Sequence, residues 1–182
     1  MAIVGETGSG KTTLLHMLMG LLIPDQGKLI INQGINYDLK YFTSLIKHIS
    51  YINQNPFFFE DTILKNICLK EKLNFEEQKK FNKIEEIIFG EQFLNKFKKR
   101  FDTILDTSGL NLSTGQRQRV NLARGLFKEH SVIFMDEPTS ALDYQTENEI
   151  LKKIFKSNLI KTSIIATHRK SILNYCNKII EI

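Results

Sequence analysis

Residues 1–15 read MAIVGETGSGKTTLL. Positions 5–12 fit the pattern G-x-x-x-x-G-K-[ST] of a phosphate-binding loop, or P-loop, which lies between a strand and a helix. Glycines let such a backbone curl so that successive N–H groups face phosphate oxygens, and the helix N-terminus behind them adds partial positive charge. The motif therefore predicts an α/β chain that binds a nucleotide, a class that serves many functions.

The residues of this loop are the first candidate site. Lys11 can reach the β- and γ-phosphates, the Thr12 hydroxyl can ligate Mg²⁺, and Thr13 can contact the α-phosphate. The alternative is a glycine-rich turn that matches the pattern by chance. The residues that we expect to bind nucleotide are Gly5, Glu6, Thr7, Gly8, Ser9, Gly10, Lys11, Thr12 and Thr13.

Length and composition indicate one globular domain. The chain has 182 residues, of which 42% are hydrophobic and 25% charged. No window approaches the roughly 18 consecutive apolar residues of a membrane span, and no secretory signal pattern is present, so we expect an intracellular protein. The net charge of +5 would suit nucleic acid, anionic lipid or ATP and selects none of them. Cys68 and Cys176 lack metal-ligand spacing and predict free thiols.

Alternating apolar runs and helical stretches predict a largely parallel sheet flanked by helices. The expected strands are residues 2–4, 28–31, 35–37, 49–52, 132–135, 163–166 and 178–182. The expected helices are residues 11–22, 42–47, 62–69, 75–89, 92–97, 114–129 and 145–155. We predict a single domain over residues 1–182, in which 1–55 and 130–182 form the P-loop core and about 56–129 form a helical subdomain.

Residues 132–137, VIFMDE, place two carboxylates after four apolar residues. A buried parallel strand delivers its last side chains to the carboxyl edge of the sheet, where ligands bind. We therefore expect Asp136 to complete the Mg²⁺ shell and Glu137 to orient or deprotonate a water molecule. The alternative, a strand that ends in a solvated acidic turn, is common in proteins without a P-loop.

Residues 110–126, LNLSTGQRQRVNLARGL, predict a second anion-binding helix end. Ser113 is a plausible N-cap, and Gly115 permits close backbone approach at the start of the helix. One chain rarely needs two such sites for one phosphate. Two chains arranged head to tail would use both, because each P-loop would face the partner's helix end.

These motifs together resemble the nucleotide-binding domain of an ATP-binding cassette (ABC) transporter. Residues 112–116, LSTGQ, resemble the family's LSGGQ signature, and Asp136 with Glu137 resembles its Walker B pair. Residues 140–143, SALD, match its D-loop. Gln54 lies where the Q-loop glutamine is expected, and His168 matches the switch histidine. The landmarks occur in the family's order and span nearly the whole chain.

The resemblance implies a P-loop NTPase fold, ATP and Mg²⁺ as ligands, and ATP hydrolysis. Gln54 would sense Mg²⁺ and the γ-phosphate, and His168 would hold the γ-phosphate and the water of Glu137 in register. The implied catalytic residues are Glu137, His168 and Gln54; the implied metal-site residues are Thr12, Gln54 and Asp136. The residues implied at the seam with a second protomer's ATP are Ser113, Gly115, Gln116 and Asp143.

The implied partners are a second ABC domain and the transmembrane domains of a transporter, at the cytoplasmic face of the cell membrane; no nucleic acid is expected. The stretches 51–67 and 102–126 resemble exporters of peptides, bacteriocins or lipids, although DEPTSALD is more frequent in importers. We therefore favour export. Residues 57–59, FFF, would receive a coupling helix; the alternative for them is ordinary core.

The sequence departs from the family pattern at two positions. Thr114 replaces the first signature glycine and can crowd the facing phosphate. Thr107 stands where exporters often have an acidic residue that touches the membrane domains. Two other functions stay open: a soluble ABC ATPase in DNA repair or translation, and a non-catalytic nucleotide-binding fragment.

The family also has β structure with an adenine-stacking aromatic residue before the P-loop, and further β structure after the last strand. We therefore expect this chain to be a fragment of a longer transporter polypeptide. Tyr37 and Tyr41 are the candidate replacements for the missing aromatic residue.

Overall fold

The structure is a computed structural model that describes residues 1–27, 29–31, 35–36 and 46–182. Its strands are β1 (Ala2–Val4), β2 (Ile30–Ile31), β3 (Ile35–Asn36), β4 (Ile49–Ile52), β5 (Val132–Asp136), β6 (Ser163–Thr167) and β7 (Ile179–Glu181). Its α-helices are α1 (Lys11–Leu18), α2 (Ile63–Cys68), α3 (Phe75–Ile88), α4 (Gly90–Leu94), α5 (Thr114–Phe127), α6 (Tyr144–Lys156) and α7 (Lys170–Leu173). Short 3₁₀ turns lie at Ile46–His48, Arg100–Asp102 and Thr107–Gly109.

Five of these strands form one parallel sheet in the order β4-β5-β6-β1-β7. Strands β2 and β3 pair separately as an antiparallel hairpin. The predicted parallel α/β fold is confirmed. Strand β1 lies between β6 and β7, so the P-loop leaves the sheet from its interior rather than from an edge strand.

Alternate residues of each strand point to opposite sides of the sheet, so the strands supply apolar side chains to a core on each face. Helix α1 covers one face, where a small core consists of Ile3, Leu15, Met19, Ile49, Phe134 and Ala166. The larger core, on the other face, joins Ile52, Ile133, Met135 and Ile165 to the helices α2, α3, α5 and α6. The helices at 56–129 thus share one core with the sheet that carries the P-loop.

Two predicted helices end elsewhere. The helix predicted over 11–22 stops at Leu18, because Gly20 adopts a left-handed φ of 77°. The helix predicted over 92–97 is instead Gly90–Leu94, followed by tight turns. The elements predicted at 28–31, 35–37 and 42–47, and the tyrosines at 37 and 41, lie partly or wholly outside the described residues. None of the helices in the described ranges has the length and apolarity to cross a bilayer.

Candidate functional site

The P-loop curls at the carboxyl end of β1 and leads directly into α1. Gly8 and Gly10 have φ values of 86° and 96°, which other residues adopt only under strain. Lys11 is buried inside the loop, where its Nζ donates to the carbonyl oxygens of Gly5 (2.9 Å) and Glu6 (2.7 Å). Gly10, the N-cap of α1, brings no side chain to this helix end, so the N-terminal amide groups can face an anion.

The hydroxyl of Thr12 donates to the carboxylate of Asp136 over 2.6 Å. Thr12 lies in the first turn of α1 and Asp136 ends β5, so the fold brings together two residues that the sequence assigned to a metal site. Within the described residues no group of three or more His, Cys, Asp or Glu side chains could hold a metal. A hydroxyl and one carboxylate nevertheless fit Mg²⁺, because that ion usually keeps waters and takes its remaining ligands from substrate phosphates.

Glu137 and His168 form the second pair at this edge. Their contact joins Glu137 Oε1 to His168 Nδ1 over 2.7 Å. Glu137 is only 6% exposed, and its Oε2 atom has no hydrogen-bond partner among the described residues. Its backbone is left-handed, with φ 46°, a strained conformation that is typical of functional sites. A buried acceptor without a donor is rare in proteins, which marks this carboxylate as a candidate functional group.

The signature residues begin α5 and form a capping box. Ser113 Oγ accepts from the Gln116 amide at 3.3 Å, and Gln116 Oε1 accepts from the Ser113 amide at 2.7 Å. Gly115 packs against the D-loop, because a Cβ atom there would lie 3.2 Å from the carbonyl oxygen of Ala141. Ser113, Gly115, Gln116 and Asp143 line one cavity of about 510 Å³, and the P-loop, which the structure describes in full, lies outside its lining.

Asp143 caps helix α6 through its side chain, which accepts from the Thr146 amide at 2.9 Å. The hydrogen bond from that amide lowers the pKa of Asp143 below its usual range. Asp143 is exposed, and it continues the D-loop beside the signature residues.

Gln54 is exposed after β4 and lines a separate cavity of about 390 Å³. That cavity also contains Thr114, Ser140 and Gln118, a residue that the sequence analysis missed. Gln118 is buried, donates to the carbonyl oxygen of Glu137 and to Ser140 Oγ, both at 3.1 Å, and accepts from the Ala141 amide at 2.7 Å. A polar side chain on the buried face of a predicted helix was the available signal.

The aromatic run at 57–59 was expected to be either a docking surface or ordinary core, and its three residues differ in this respect. Phe58 is buried against Gly109, where a Cβ atom would lie 2.9 Å from its ring. Phe57 and Phe59 are 59% and 52% exposed and stack edge to face at 5.3 Å. One phenylalanine therefore anchors the loop in the core, and its two neighbours present an apolar surface.

Comparisons with known proteins show which family this chain resembles. The sequence model of the family "ABC transporter" matches residues 1–140. The ATP-dependent lipid A-core flippase of Blochmanniella floridana is 34% identical over 179 residues, which are 98% of this chain and 30% of the flippase. The flippase of Escherichia coli K12 is 32% identical over 184 residues, with the same two coverages.

A solved structure, described as a bacterial Atm1-family ABC exporter with ATP bound, matches this fold with a TM-score of 0.84 and 31% identity. The match covers all of this chain and 31% of the exporter chain. The chain thus spans about 30% of the length of the relatives that it matches. By the family match over residues 1–140 and by these similarities, the chain belongs to the ABC transporter family.

Proposed function

We propose that this chain is the ATP-binding and ATP-hydrolysing unit of an ABC exporter, and that ATP-driven pairing of two units is coupled to transport. The observation that carries the proposal is the Glu137–His168 contact at the same sheet edge as the Thr12–Asp136 contact. The parallel register places these groups together, since Asp136 pairs with Ala166 and Val4 pairs with Thr167.

In this proposal the P-loop, residues 5–13, binds the phosphates of ATP. Lys11 would exchange its bonds to the loop carbonyls for phosphate oxygens, and Thr12 with Asp136 would hold Mg²⁺. A magnesium ion bound there would neutralise charge on the phosphates. Gln54, which lines a separate cavity in this structure, would turn toward that ion and complete its shell. Residues 1–55 and 130–182 would form the P-loop core, and about 56–129 the helical subdomain.

Glu137 would act as the general base. Its Oε2 atom is buried and has no partner in the described part of the chain; once ATP binding opens the site to a water molecule, this oxygen would accept the proton of the attacking water. His168, bonded to Oε1, would fix the orientation of that carboxylate and contact the γ-phosphate. Burial of the Glu137 carboxylate would strengthen its contact with His168, because electrostatic interactions are stronger where water is excluded.

A second unit would complete the site. The capped end of α5 with Ser113, Gly115 and Gln116 offers a second anion-binding end, and the cavity beside it is lined by residues outside the P-loop. We propose that this end, with Asp143, meets the ATP of a partner ABC domain arranged head to tail.

The exposed Phe57 and Phe59 would receive a transmembrane partner, and the chain would then lie at the cytoplasmic face of the membrane. Export is supported by the names of the flippase relatives and of the matched exporter.

ATP turnover of Glu137→Gln tests the proposal. We expect turnover to fall roughly 10²–10⁴-fold, the usual contribution of a general base, while ATP affinity is retained. Glu76→Gln, the same chemical change on the exposed start of α3, is the matched control and should leave turnover unchanged. Unchanged turnover in Glu137→Gln would disprove the assignment.

A further inference from the structure

Helix α6 carries a buried carboxylate that the proposed chemistry does not use. Glu147 is 1% exposed. Its Oε1 accepts from the Thr139 hydroxyl, its Oε2 accepts from Ser171 Oγ at 3.0 Å, and Arg169 Nη1 forms an ion pair with Oε2 at 3.1 Å. A charge so deeply buried is tolerated only when it is paired and hydrogen-bonded, so Arg169 and the two hydroxyls are its necessary partners.

The same guanidinium reaches the backbone of the D-loop. Arg169 Nη2 donates to the carbonyl oxygen of Ser140 at 2.7 Å, and Nη1 donates to that of Leu142 at 3.1 Å. The planar guanidinium has five N–H donors in a fixed geometry, which lets one side chain bind two carbonyls and a carboxylate at once. A lysine could keep the charge pair with Glu147 but could not reproduce this arrangement.

Arg169 directly follows the switch histidine. His168 contacts Glu137, and the amide of Arg169 is held by Thr167 Oγ1 at 3.0 Å. The carboxyl end of β6 therefore carries two neighbouring side chains, one directed to the catalytic carboxylate and one to the D-loop. On its other side the D-loop is bonded to Gln118, which also contacts the carbonyl oxygen of Glu137.

We propose that Arg169 is a positioning residue that couples the switch histidine to the D-loop, with Glu147 as the buried charge that fixes its orientation. The inference rests on the proposed function, because the D-loop matters only where a second copy docks. A shift of His168 toward a γ-phosphate moves Arg169 with it, and the bonds to Ser140 and Leu142 carry that shift to the exposed Asp143. Nucleotide contact in one copy thereby sets the surface that the partner copy meets.

The test uses the full chain with Glu137→Gln, which holds ATP without turnover, and measures three quantities: ATP affinity at low protein concentration, ATP-driven self-association by sedimentation, and thermal unfolding. In Arg169→Lys we expect self-association to weaken about tenfold or more, since charge-assisted hydrogen bonds are lost, with ATP affinity within about twofold. Arg100→Lys changes another arginine that pairs with a glutamate, at an exposed position, and should pair as the parent does.

A second variant separates positioning from folding. Arg169→Gln leaves the Glu147 charge buried without its cation and should lower the unfolding temperature. Adding Glu147→Gln removes that charge and should restore most of the unfolding temperature, but not the self-association. Parental self-association by Arg169→Lys, or by the double variant that combines Glu147→Gln with Arg169→Gln, would overturn this inference alone. Absence of ATP-driven association with Arg169 intact would overturn the proposed function and this inference with it.

Discussion

At the scale of single residues, Ser113 has one observed role and one proposed role. Ser113 caps its own helix through the Gln116 amide, and in the proposed pair it also faces the partner's phosphate. The two roles depend on different properties of the side chain. Capping requires only a short hydrogen-bond acceptor, whereas phosphate contact is sensitive to its charge.

Replacing Ser113 separates these two roles. Asn and Asp are both good N-cap residues, so Ser113→Asn and Ser113→Asp should unfold within about 0.5 kcal/mol of the parent. Ser113→Asp places a negative charge against the γ-phosphate and should abolish ATP-driven pairing in the Glu137→Gln form, while Ser113→Asn should retain pairing. Denaturant titration and sedimentation give the two readouts. Equal pairing by the two variants would contradict the composite site.

For Glu137, the sequence predicted the role of the residue but not its conformation. The sequence assigned it a catalytic role, because a carboxylate after a buried strand is brought to the sheet edge. Its left-handed backbone and unpartnered Oε2 atom, among the residues described, could not be predicted, since both depend on where residues distant in sequence lie. Arg169 and Glu147 were missed for the same reason: neither stands out in the sequence until the fold joins them to the D-loop.

At the scale of elements, α5 packs on β4 through a glycine. A Cβ atom on Gly125 would lie 2.3 Å from Ile52 Cγ1 and 2.7 Å from its Cδ1. These distances are shorter than any ordinary contact, so the helix can approach the strand only without a side chain at this position.

Gly125→Ala should therefore destabilise the protein by about 1–3 kcal/mol, the usual cost of overpacking, despite the better helix propensity of alanine. Combining it with Ile52→Ala removes the clashing atoms, so the loss in the double variant should be smaller than the sum of the single losses. Urea denaturation of the four proteins measures this cycle. An additive result would show that the close approach does not determine stability.

The exposed phenylalanines are held by a neighbouring element, helix α2. Asn66 is fully buried, and its Nδ2 atom donates to the carbonyl oxygens of Phe59 at 3.0 Å and Asp61 at 3.2 Å. Arg124 of α5 adds bonds to the carbonyl of Phe57 and to Asn66 Oδ1 at 2.6 and 3.0 Å. Burial lowers the pKa of Arg124 to about 10, because desolvation disfavours the charged guanidinium.

Asn66→Ala should release this loop. The Phe59 amide, which donates to Asn66 Oδ1 at 2.9 Å, would lose its acceptor, whereas the Phe59 and Asp61 carbonyls keep backbone donors; we therefore expect a loss of about 1–3 kcal/mol in unfolding free energy. We also expect faster proteolysis at residues 57–61, measured by mass spectrometry of the early fragments. Asn82→Ala, on an exposed face of α3, is the control. Parental proteolysis in Asn66→Ala would argue that the core contact of Phe58 alone holds the loop.

Helix beginnings were more predictable than helix ends. Thr62, Asn74, Ser113 and Asp143 are N-caps with side chains that accept a backbone amide, and helices were predicted within two residues of each. The ends at Leu18 and Leu94 were missed, because apolar residues continue beyond them with helical spacing. The first of these helices instead ends just before Gly20, whose left-handed φ of 77° a helix cannot accommodate.

At the scale of the whole molecule, the order of the motifs predicted the sheet, because a parallel α/β chain brings each strand's carboxyl end to one edge. That rule places the P-loop, Asp136, Glu137 and His168 together from sequence alone. The rule does not predict the stability of the folded chain, which depends on groups buried away from the site. His130 is one of them, between α5 and β5.

The stability of the whole chain should decrease below neutral pH through His130. Its Nδ1 lies 2.7 Å from the carbonyl oxygen of Lys128, and its Nε2 is buried without a partner in the described ranges. Burial lowers the pKa of His130 below its ordinary value of 6.5, and the charges of Lys80 and Lys128 lower it further, against the opposing hydrogen bond to Lys128. Because protonation then favours the unfolded state, stability is complete above about pH 6.5 and is lost as pH falls toward the folded pKa.

Urea denaturation between pH 7.5 and about 5.5, above the range in which most carboxylates titrate, isolates this contribution. The free energy of unfolding should fall across that interval in the parent and fall less in His130→Gln, which cannot take up the proton. His48→Gln, which removes an exposed histidine from the turn before β4, should keep the parental slope. A slope in His130→Gln equal to that of the parent would show that the acid sensitivity of this fold arises elsewhere, and that the buried Nε2 atom gains a partner when it is protonated.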